Sequence, residues 1–222
     1  MTTTYTANDI EIKLSNITLN GILNVPENAT CLVIFAHGSG SSRLSIRNQF
    51  TAQVLHQAQI GTLLFDLLTI EEEKIDEITS QYRFDISFLA RRLIAVTDWV
   101  SKQKHLAALS IGYFGASTGA GAALVAAAHY GKEIKAVISR GGRPDLAGPA
   151  LYEVKAATLL IVGSLDVQVI ELNQLAYEQL QCVKEVEIIP GATHLFEEFG
   201  KLEQVSKVAT KWFQTYLAVN NF

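Results

Sequence analysis

Cysteine is scarce in this sequence, and basic residues do not outnumber acidic ones. The 222 residues include only two cysteines, Cys31 and Cys182, and neither belongs to a C-x-x-C motif or a Cys/His cluster. We therefore expect buried structural thiols rather than a disulfide framework or a metal site. The net charge of −4 gives no general attraction to phosphate backbones or anionic lipid, so neither nucleic acid nor a membrane surface is an expected partner.

The chain also lacks a secretory signal and a convincing membrane span. Residues 1–9 are polar and Thr-rich, without the basic start and apolar stretch of a signal, so we expect a cytoplasmic protein. Residues 106–128 carry no charge and are long enough to cross a bilayer as a helix, but glycines interrupt them and no second apolar span accompanies them. This pattern favours a buried strand, a sharp turn and a buried helix.

The composition and the element pattern predict one α/β domain over residues 1–222. Hydrophobic residues make up 49% and charged residues 18%, as in a packed globular protein, and no repeat or linker interrupts the chain. Alternating strand and helix patterns predict a mostly parallel central sheet of about eight strands with helices on both faces. Residues 10–14 and 17–25 predict an antiparallel edge. The acidic residues 71–77 suit a solvated loop or a short helix.

A nucleophile motif lies in the middle of the chain. Residues 115–119 read Gly-Ala-Ser-Thr-Gly, which matches G-x-S-x-G, with a buried strand before it and a Gly/Ala-rich helix after it. Flanking glycines let the backbone turn sharply, so that the hydroxyl of Ser117 projects from the sheet. A serine needs a base and an orienting acid to act as a nucleophile.

Both partners follow downstream at strand ends. Asp166 comes just after the strand pattern at 159–164, and His194 just after the pattern at 186–191, in the chain order Ser, Asp, His that this motif uses. Asp166 could instead cap the next helix. The other four histidines are in helices or in loops at less suitable positions, so His194 is the expected base.

Acyl transfer also needs donors for a developing oxyanion. The backbone N–H of Thr118, directly after the nucleophile, is the first expected donor, and the loop after the strand at 32–36 is expected to supply the second. Ser39 is the preferred residue in that loop, with Gly40 as the alternative, and His37 is interpreted as a residue that shapes the loop. Arg43 and Arg140 are candidates for binding a substrate carboxylate, with Arg143 beside them, although structural salt bridges or exposed charges are the commoner explanation of such arginines.

Together these residues resemble the dienelactone hydrolase family of α/β hydrolases. The resemblance rests on His37-Gly-Ser-Gly, Gly115-Ala-Ser-Thr-Gly, Leu160-Ile-Val-Gly-Ser-Leu-Asp166 and Gly191-Ala-Thr-His194, and covers nearly the whole chain. It implies an α/β-hydrolase fold without a large lid, a triad of Ser117, Asp166 and His194, and hydrolysis of small esters or lactones without metal or organic cofactor. The founding members use cysteine as nucleophile where this chain has Ser117.

Other functions remain open at this point. The same triad could serve a peptidase or amide hydrolase, and the scaffold could serve as a non-catalytic ligand receptor. Asp66 and the glutamates at 71–73 could suggest a cation site, because carboxylates suit hard cations, but consecutive glutamates usually form a solvated face.

Overall fold

The protein is described by a computed structural model that covers residues 8–217. Its strands are β1 (Asn8–Lys13), β2 (Thr18–Asn24), β3 (Cys31–Ala36), β4 (Gly61–Phe65), β5 (Ser110–Ala116), β6 (Ile134–Arg140), β7 (Ala157–Gly163) and β8 (Lys184–Ile189). Its α-helices are α1 (Ile46–Gln57), α2 (Ile70–Thr79), α3 (Ile86–Lys102), α4 (Thr118–Tyr130), α5 (Val167–Gln179) and α6 (Lys201–Tyr216).

The eight strands form one mixed sheet in the order β1-β2-β4-β3-β5-β6-β7-β8. β2 pairs antiparallel with both β1 and β4, and the pairs from β4 through β8 are parallel. The prediction of a mostly parallel sheet with an antiparallel N-terminal edge is therefore confirmed. Among residues 8–217 no lid domain is inserted between these elements.

Helices cover both faces of the sheet, because the central strands carry apolar side chains on both sides. Successive residues of a strand point to opposite faces. On β3, Ile34 joins a core cluster with Leu93 of α3, whereas Phe35 joins a second cluster with Leu55 of α1 and Phe213 of α6. The expectation of helices on both faces is confirmed.

The acidic segment is a helix rather than a loop. The Thr69 hydroxyl accepts a hydrogen bond from Glu72 N–H, and the Glu72 carboxylate accepts one from Thr69 N–H, which completes a capping box at the start of α2. Acidic side chains in a first helical turn also interact favourably with the helix dipole. Local capping thus decides between the two structures that the charge pattern allowed.

One element has no counterpart in the sequence predictions. Pro144–Glu153 forms 3-10 turns that kink at Gly148, where φ is 52°. Proline suits the first position of such a turn, because its missing N–H would have no partner there. The segment packs beside α4, directly after the loop that leaves β6.

The parallel strands bring distant loops to one edge of the sheet. The carboxyl ends of β3, β5, β6, β7 and β8 all point to this edge, and their loops carry the residues that the motifs singled out. Ligands bind at such an edge in open α/β sheets. Within the described part of the chain, no helix is both long and apolar enough to cross a membrane.

Candidate active site

Ser117 lies on a sharp turn between β5 and α4. Its φ of 49° and ψ of −123° are rare for any residue other than glycine. Neighbouring backbone holds this conformation, because the Ser117 carbonyl accepts hydrogen bonds of 3.0 Å from both Ala120 N–H and Arg143 N–H. Backbone strain that the surroundings enforce in this way is characteristic of functional positions.

The two glycines of the motif permit close packing around the turn. A Cβ at Gly115 would lie 2.4 Å from Ala120 Cα, and a Cβ at Gly119 would lie 2.2 Å from Ala36 O. Side chains at either position would push α4 away from β5 and β3. These close contacts therefore explain why the motif needs glycine at both positions, as the sequence suggested.

Asp166 and His194 meet across the ends of β7 and β8. His194 Nδ1 donates a hydrogen bond of 2.6 Å to Asp166 Oδ2. Asp166 is at the N-cap position of α5, yet its side chain makes no capping hydrogen bond. The carboxylate is thus directed at the imidazole, and the helix-capping alternative that the sequence left open is not what the structure shows.

Ser117 and His194 line one cavity of about 230 Å³ at this edge of the sheet. Within residues 8–217 the structure shows no hydrogen bond between the Ser117 hydroxyl and the His194 ring. Such bonds are often long in a free enzyme and shorten when substrate binds. A larger cavity, about 360 Å³, lies near the start of β5 and is lined by neither residue.

The expected oxyanion donors lie on either side of Ser117. Thr118 is the first residue of α4, and Ser39 lines the same cavity as Ser117. In the described part of the chain, neither backbone N–H has a hydrogen-bond partner. Gly38, which precedes Ser39, comes so close to Ser117 that a Cβ at Gly38 would lie 3.0 Å from Ser117 Cβ.

The two candidate arginines have different surroundings. Arg43 does not line the cavity: its Nη1 donates a hydrogen bond of 2.6 Å to Asp66 Oδ2, and its backbone N–H donates one of 2.8 Å to Asp66 Oδ1. Arg43 therefore makes the structural salt bridge that was the alternative to substrate binding. Arg143 likewise pairs with Asp145, at 2.8 Å.

Arg140 lines the cavity and is only 6% exposed. Its one hydrogen bond from the side chain goes to Asn48 Oδ1, at 3.1 Å, and no carboxylate among residues 8–217 pairs with it. Burial and the charge of neighbouring Arg47 lower the pKa of the Arg140 guanidinium from 12.5 to about 10. Burying a cation without an acidic partner is costly, and the Arg140 guanidinium lines the same cavity as Ser117.

Arg47 and Asn48 are cavity residues that the sequence analysis did not identify. Both are on the first turn of α1, and Arg47 Nη1 donates a hydrogen bond of 2.8 Å to Glu197 Oε1 in the loop after His194. The feature of the sequence that could have identified them is their position at the start of the helix that follows the Ser39 loop. Polar side chains there reach the same edge of the sheet.

The remaining candidates for metal binding or redox chemistry are carboxylates and cysteines that do not line this cavity. Asp66 is occupied by Arg43, and Glu72 belongs to the capping box and pairs with Arg92. Among the described residues no group of three or more His, Cys, Asp or Glu side chains is arranged to hold a metal ion. Both cysteines are free thiols, and burial raises the pKa of Cys31 to about 11.

Comparison with known proteins identifies the relatives of this chain. The crystal structure of a dienelactone hydrolase from Anabaena variabilis superposes with a TM-score of 0.94 at 54% sequence identity, over 96% of this chain and 99% of that one. The chain belongs to the dienelactone hydrolase family.

More distant structures share the α/β-hydrolase fold. Est1E from Butyrivibrio proteoclasticus superposes with a TM-score of 0.78 at 17% identity, over 95% of this chain and 98% of that one. A serine hydrolase without a lid from Xanthomonas campestris gives a TM-score of 0.77 at 21% identity, over 98% of each chain. No family model matches the sequence.

Curated sequence relatives carry a different name. Proteins from two strains of Mycobacterium tuberculosis, provisionally named phosphoribosyl transferases, are 54% identical over 209 residues. The match covers 94% of this chain but 46% of each relative. The chain thus spans about half the length of these relatives, and more than half of each of them has no counterpart in the match.

Proposed function

We propose that this member of the dienelactone hydrolase family hydrolyses small carboxylic esters or lactones through an acyl-enzyme on Ser117. The observation that carries the proposal is the 2.6 Å hydrogen bond between Asp166 and His194 in the loops around the cavity that holds Ser117. These residue types, in this chain order on this fold, are the parts of a nucleophilic triad.

The chemistry follows from the role of each group. His194, with Nδ1–H donated to Asp166, has Nε2 free to take the proton from Ser117 Oγ as Oγ attacks the carbonyl carbon. The backbone N–H groups of Thr118 and Ser39 donate to the oxyanion of the tetrahedral intermediate. His194 then gives its proton to the leaving alcohol, and the acyl group stays on Ser117.

Deacylation repeats the same steps with water as the nucleophile in place of the serine hydroxyl. His194 takes a proton from water, the hydroxide oxygen attacks the acyl carbon, and a second tetrahedral intermediate collapses to the acid product. The proton on His194 returns to Ser117 Oγ. For a lactone, the leaving alcohol remains joined to the acyl group, and the product is a single hydroxy acid.

Arg140 supports the narrower proposal that the substrate carries a carboxylate. Its guanidinium is buried in the wall of the cavity, has no acidic partner among residues 8–217, and can donate paired hydrogen bonds to a carboxylate. The Arg43 guanidinium, occupied by Asp66, has no such role in this proposal.

The name of the mycobacterial relatives does not supply a better account of this site. A strained serine and a histidine at one cavity, with an aspartate hydrogen-bonded to that histidine, favour acyl transfer to water. The transferase name can describe the unmatched half of those proteins. A peptidase with the same triad and a non-catalytic receptor are the alternatives that an experiment must separate.

Labelling with a fluorophosphonate tests the proposal directly. We expect intact mass to show one adduct on the wild-type chain, peptide mapping to place it on Ser117, and Ser117→Ala to remain unlabelled while folding normally. Ser101→Ala, at an exposed serine far from the cavity, should label like wild type. An unlabelled wild-type chain would reject the activated serine and favour a receptor. Peptide and ester panels on the unlabelled wild-type protein then separate amide from ester hydrolysis.

A further inference from the structure

The orientation of one peptide group determines whether Ser39 can act as an oxyanion donor. The carbonyl of Gly38 and the N–H of Ser39 belong to the same planar trans peptide, so they point in opposite directions. The Gly38 carbonyl accepts a hydrogen bond of 3.2 Å from Ser41 N–H and lies 2.9 Å from His37 Nδ1. While that carbonyl is held, the Ser39 N–H is turned away from it and is free to donate.

The state of the His37 ring follows from its other nitrogen. Leu67 N–H, in the loop after β4, donates a hydrogen bond of 3.0 Å to His37 Nε2. A backbone N–H can only donate, so Nε2 must be the bare acceptor and the ring proton of a neutral imidazole must be on Nδ1. Nδ1–H is then a donor, and the contact with the Gly38 carbonyl is a hydrogen bond.

The surroundings of His37 keep it in this neutral form. The side chain is 8% exposed, and burial lowers the pKa of the imidazole, although the Gly38 carbonyl and Asp66 raise it in part. The far end of the loop is held as well, because Asp66 accepts a hydrogen bond from the backbone N–H of Arg43. The residues after β4 therefore hold both ends of the Ser39 loop.

We propose that His37 is a positioning residue: its Nδ1–H tautomer, selected by Leu67 N–H, holds the Gly38–Ser39 peptide so that Ser39 N–H faces the oxyanion. The proposal rests on the hydrolase function proposed above. In this arrangement His37 never touches substrate and transfers no proton. It prevents the peptide from flipping to a state in which the Gly38 carbonyl would face the reaction centre and repel the oxyanion.

Two substitutions separate the two hydrogen bonds of the ring. His37→Gln can place an amide oxygen near the Nε2 position, which keeps an acceptor for Leu67 N–H but removes the donor to Gly38. His37→Asn can place an amide N–H near the Nδ1 position, which keeps that donor and removes the acceptor. His105→Gln, at an exposed histidine beyond the opposite end of β5, is the matched control.

The experiment measures ester hydrolysis together with inhibition by a trifluoromethyl ketone that matches the best ester. Loss of a single oxyanion donor lowers kcat by about 10²–10³. We expect His37→Gln to lower kcat by about tenfold to a hundredfold, to raise the Ki of the ketone by the same factor, and to leave KM within about twofold. His37→Asn should recover most of kcat, and His105→Gln should match wild type.

Other results overturn the proposal in distinguishable ways. If His37→Gln lowers thermal stability but keeps kcat and Ki, or if Gln and Asn impair kcat equally, His37 only supports the fold. A ¹⁵N spectrum of the imidazole that shows the proton of wild-type His37 on Nε2 also refutes it. If the wild-type chain shows no ester hydrolysis that Ser117→Ala abolishes, the proposed hydrolase function itself is refuted, and this role of His37 with it.

Discussion

His194 Nδ1 lies 2.6 Å from Asp166 Oδ2, although the two residues are 28 positions apart in the sequence. The contact exists because β7 and β8 are parallel neighbours, so the loops that leave them reach the same edge of the sheet. The hydrogen bond places the ring proton on Nδ1 and leaves Nε2 as the basic nitrogen.

We expect Asp166→Asn to reduce kcat by about 10³–10⁴ with little change in KM, because an amide can donate to Nδ1 and so stabilise the wrong tautomer of His194. Steady-state kinetics on the best ester would measure this. Asp9→Asn, at an exposed position on β1, should have wild-type rates. A fall in kcat of less than about tenfold would contradict the orienting role of Asp166.

Replacing Arg140 by Met should separate selectivity from stability. Loss of charge-assisted hydrogen bonds worth about 1.5–3 kcal/mol should lower kcat/KM for an acidic ester by about tenfold to a hundredfold, and leave a neutral ester of the same shape unchanged. Relative rates on such a pair of esters measure the effect. Equal changes on both esters would contradict carboxylate binding.

The same substitution should raise the unfolding midpoint by a few degrees. At neutral pH the wild-type chain buries the Arg140 charge, which pairs with no carboxylate among residues 8–217, and burial lowers the pKa of this group to about 10. Replacing an inadequately paired buried charge by an apolar side chain of similar length is often stabilising. Arg91→Met, at an exposed position, is the control in the thermal scans.

Gly119→Ala should destabilise the fold strongly. An added Cβ would lie 2.2 Å from Ala36 O, so α4 and β3 would have to separate, and we expect a loss of about 3 kcal/mol or more in the free energy of unfolding. Urea unfolding measures it. Gly131→Ala, where φ is 56° but no atom lies within 4 Å of the added Cβ, should cost only about 1–2 kcal/mol. A loss at Gly119 no larger than the loss at Gly131 would contradict a steric limit set by Ala36.

Acid should destabilise the wild-type chain through His37. Because burial lowers the folded-state pKa of this imidazole below its ordinary value of 6.5, the unfolded chain binds more protons at mildly acidic pH. The free energy of unfolding should therefore fall as the pH drops through about 6.5, by at most about 1.4 kcal/mol per pH unit, until the pH passes below the folded-state pKa.

The matched comparison for this pH effect is His37→Asn, which has no group that titrates in this range. Urea titrations between about pH 7 and pH 5 should show a smaller loss of stability in the variant than in wild type. Parallel curves for the two proteins would mean that His37 is not held in its neutral form in the folded state.

The order of strands and helices and the position of the nucleophile turn could be predicted from local pattern. G-x-S-x-G marked Ser117 because a sharp turn between a strand and a helix needs small residues on both sides, although the closest contact that Gly119 avoids is with Ala36 of β3. Asp166 and His194 were identifiable because each directly follows a strand pattern, and parallel strands deliver their loops to one edge. The segment Pro144–Glu153 was missed because short 3-10 turns have no apolar period to reveal them.

The sequence by itself determined the fold class and the candidate triad, because hydrophobic period and glycine position act over a few residues. Tertiary structure alone decided that Asp166 faces His194 rather than capping α5, and that Arg43 pairs with Asp66 while Arg140 faces the cavity. It also decided that His37 accepts a hydrogen bond from Leu67, 30 residues away. Each of these outcomes depends on which side chains meet across the sheet edge, and distances between residues far apart in the chain are set only when the strands pair and the helices pack.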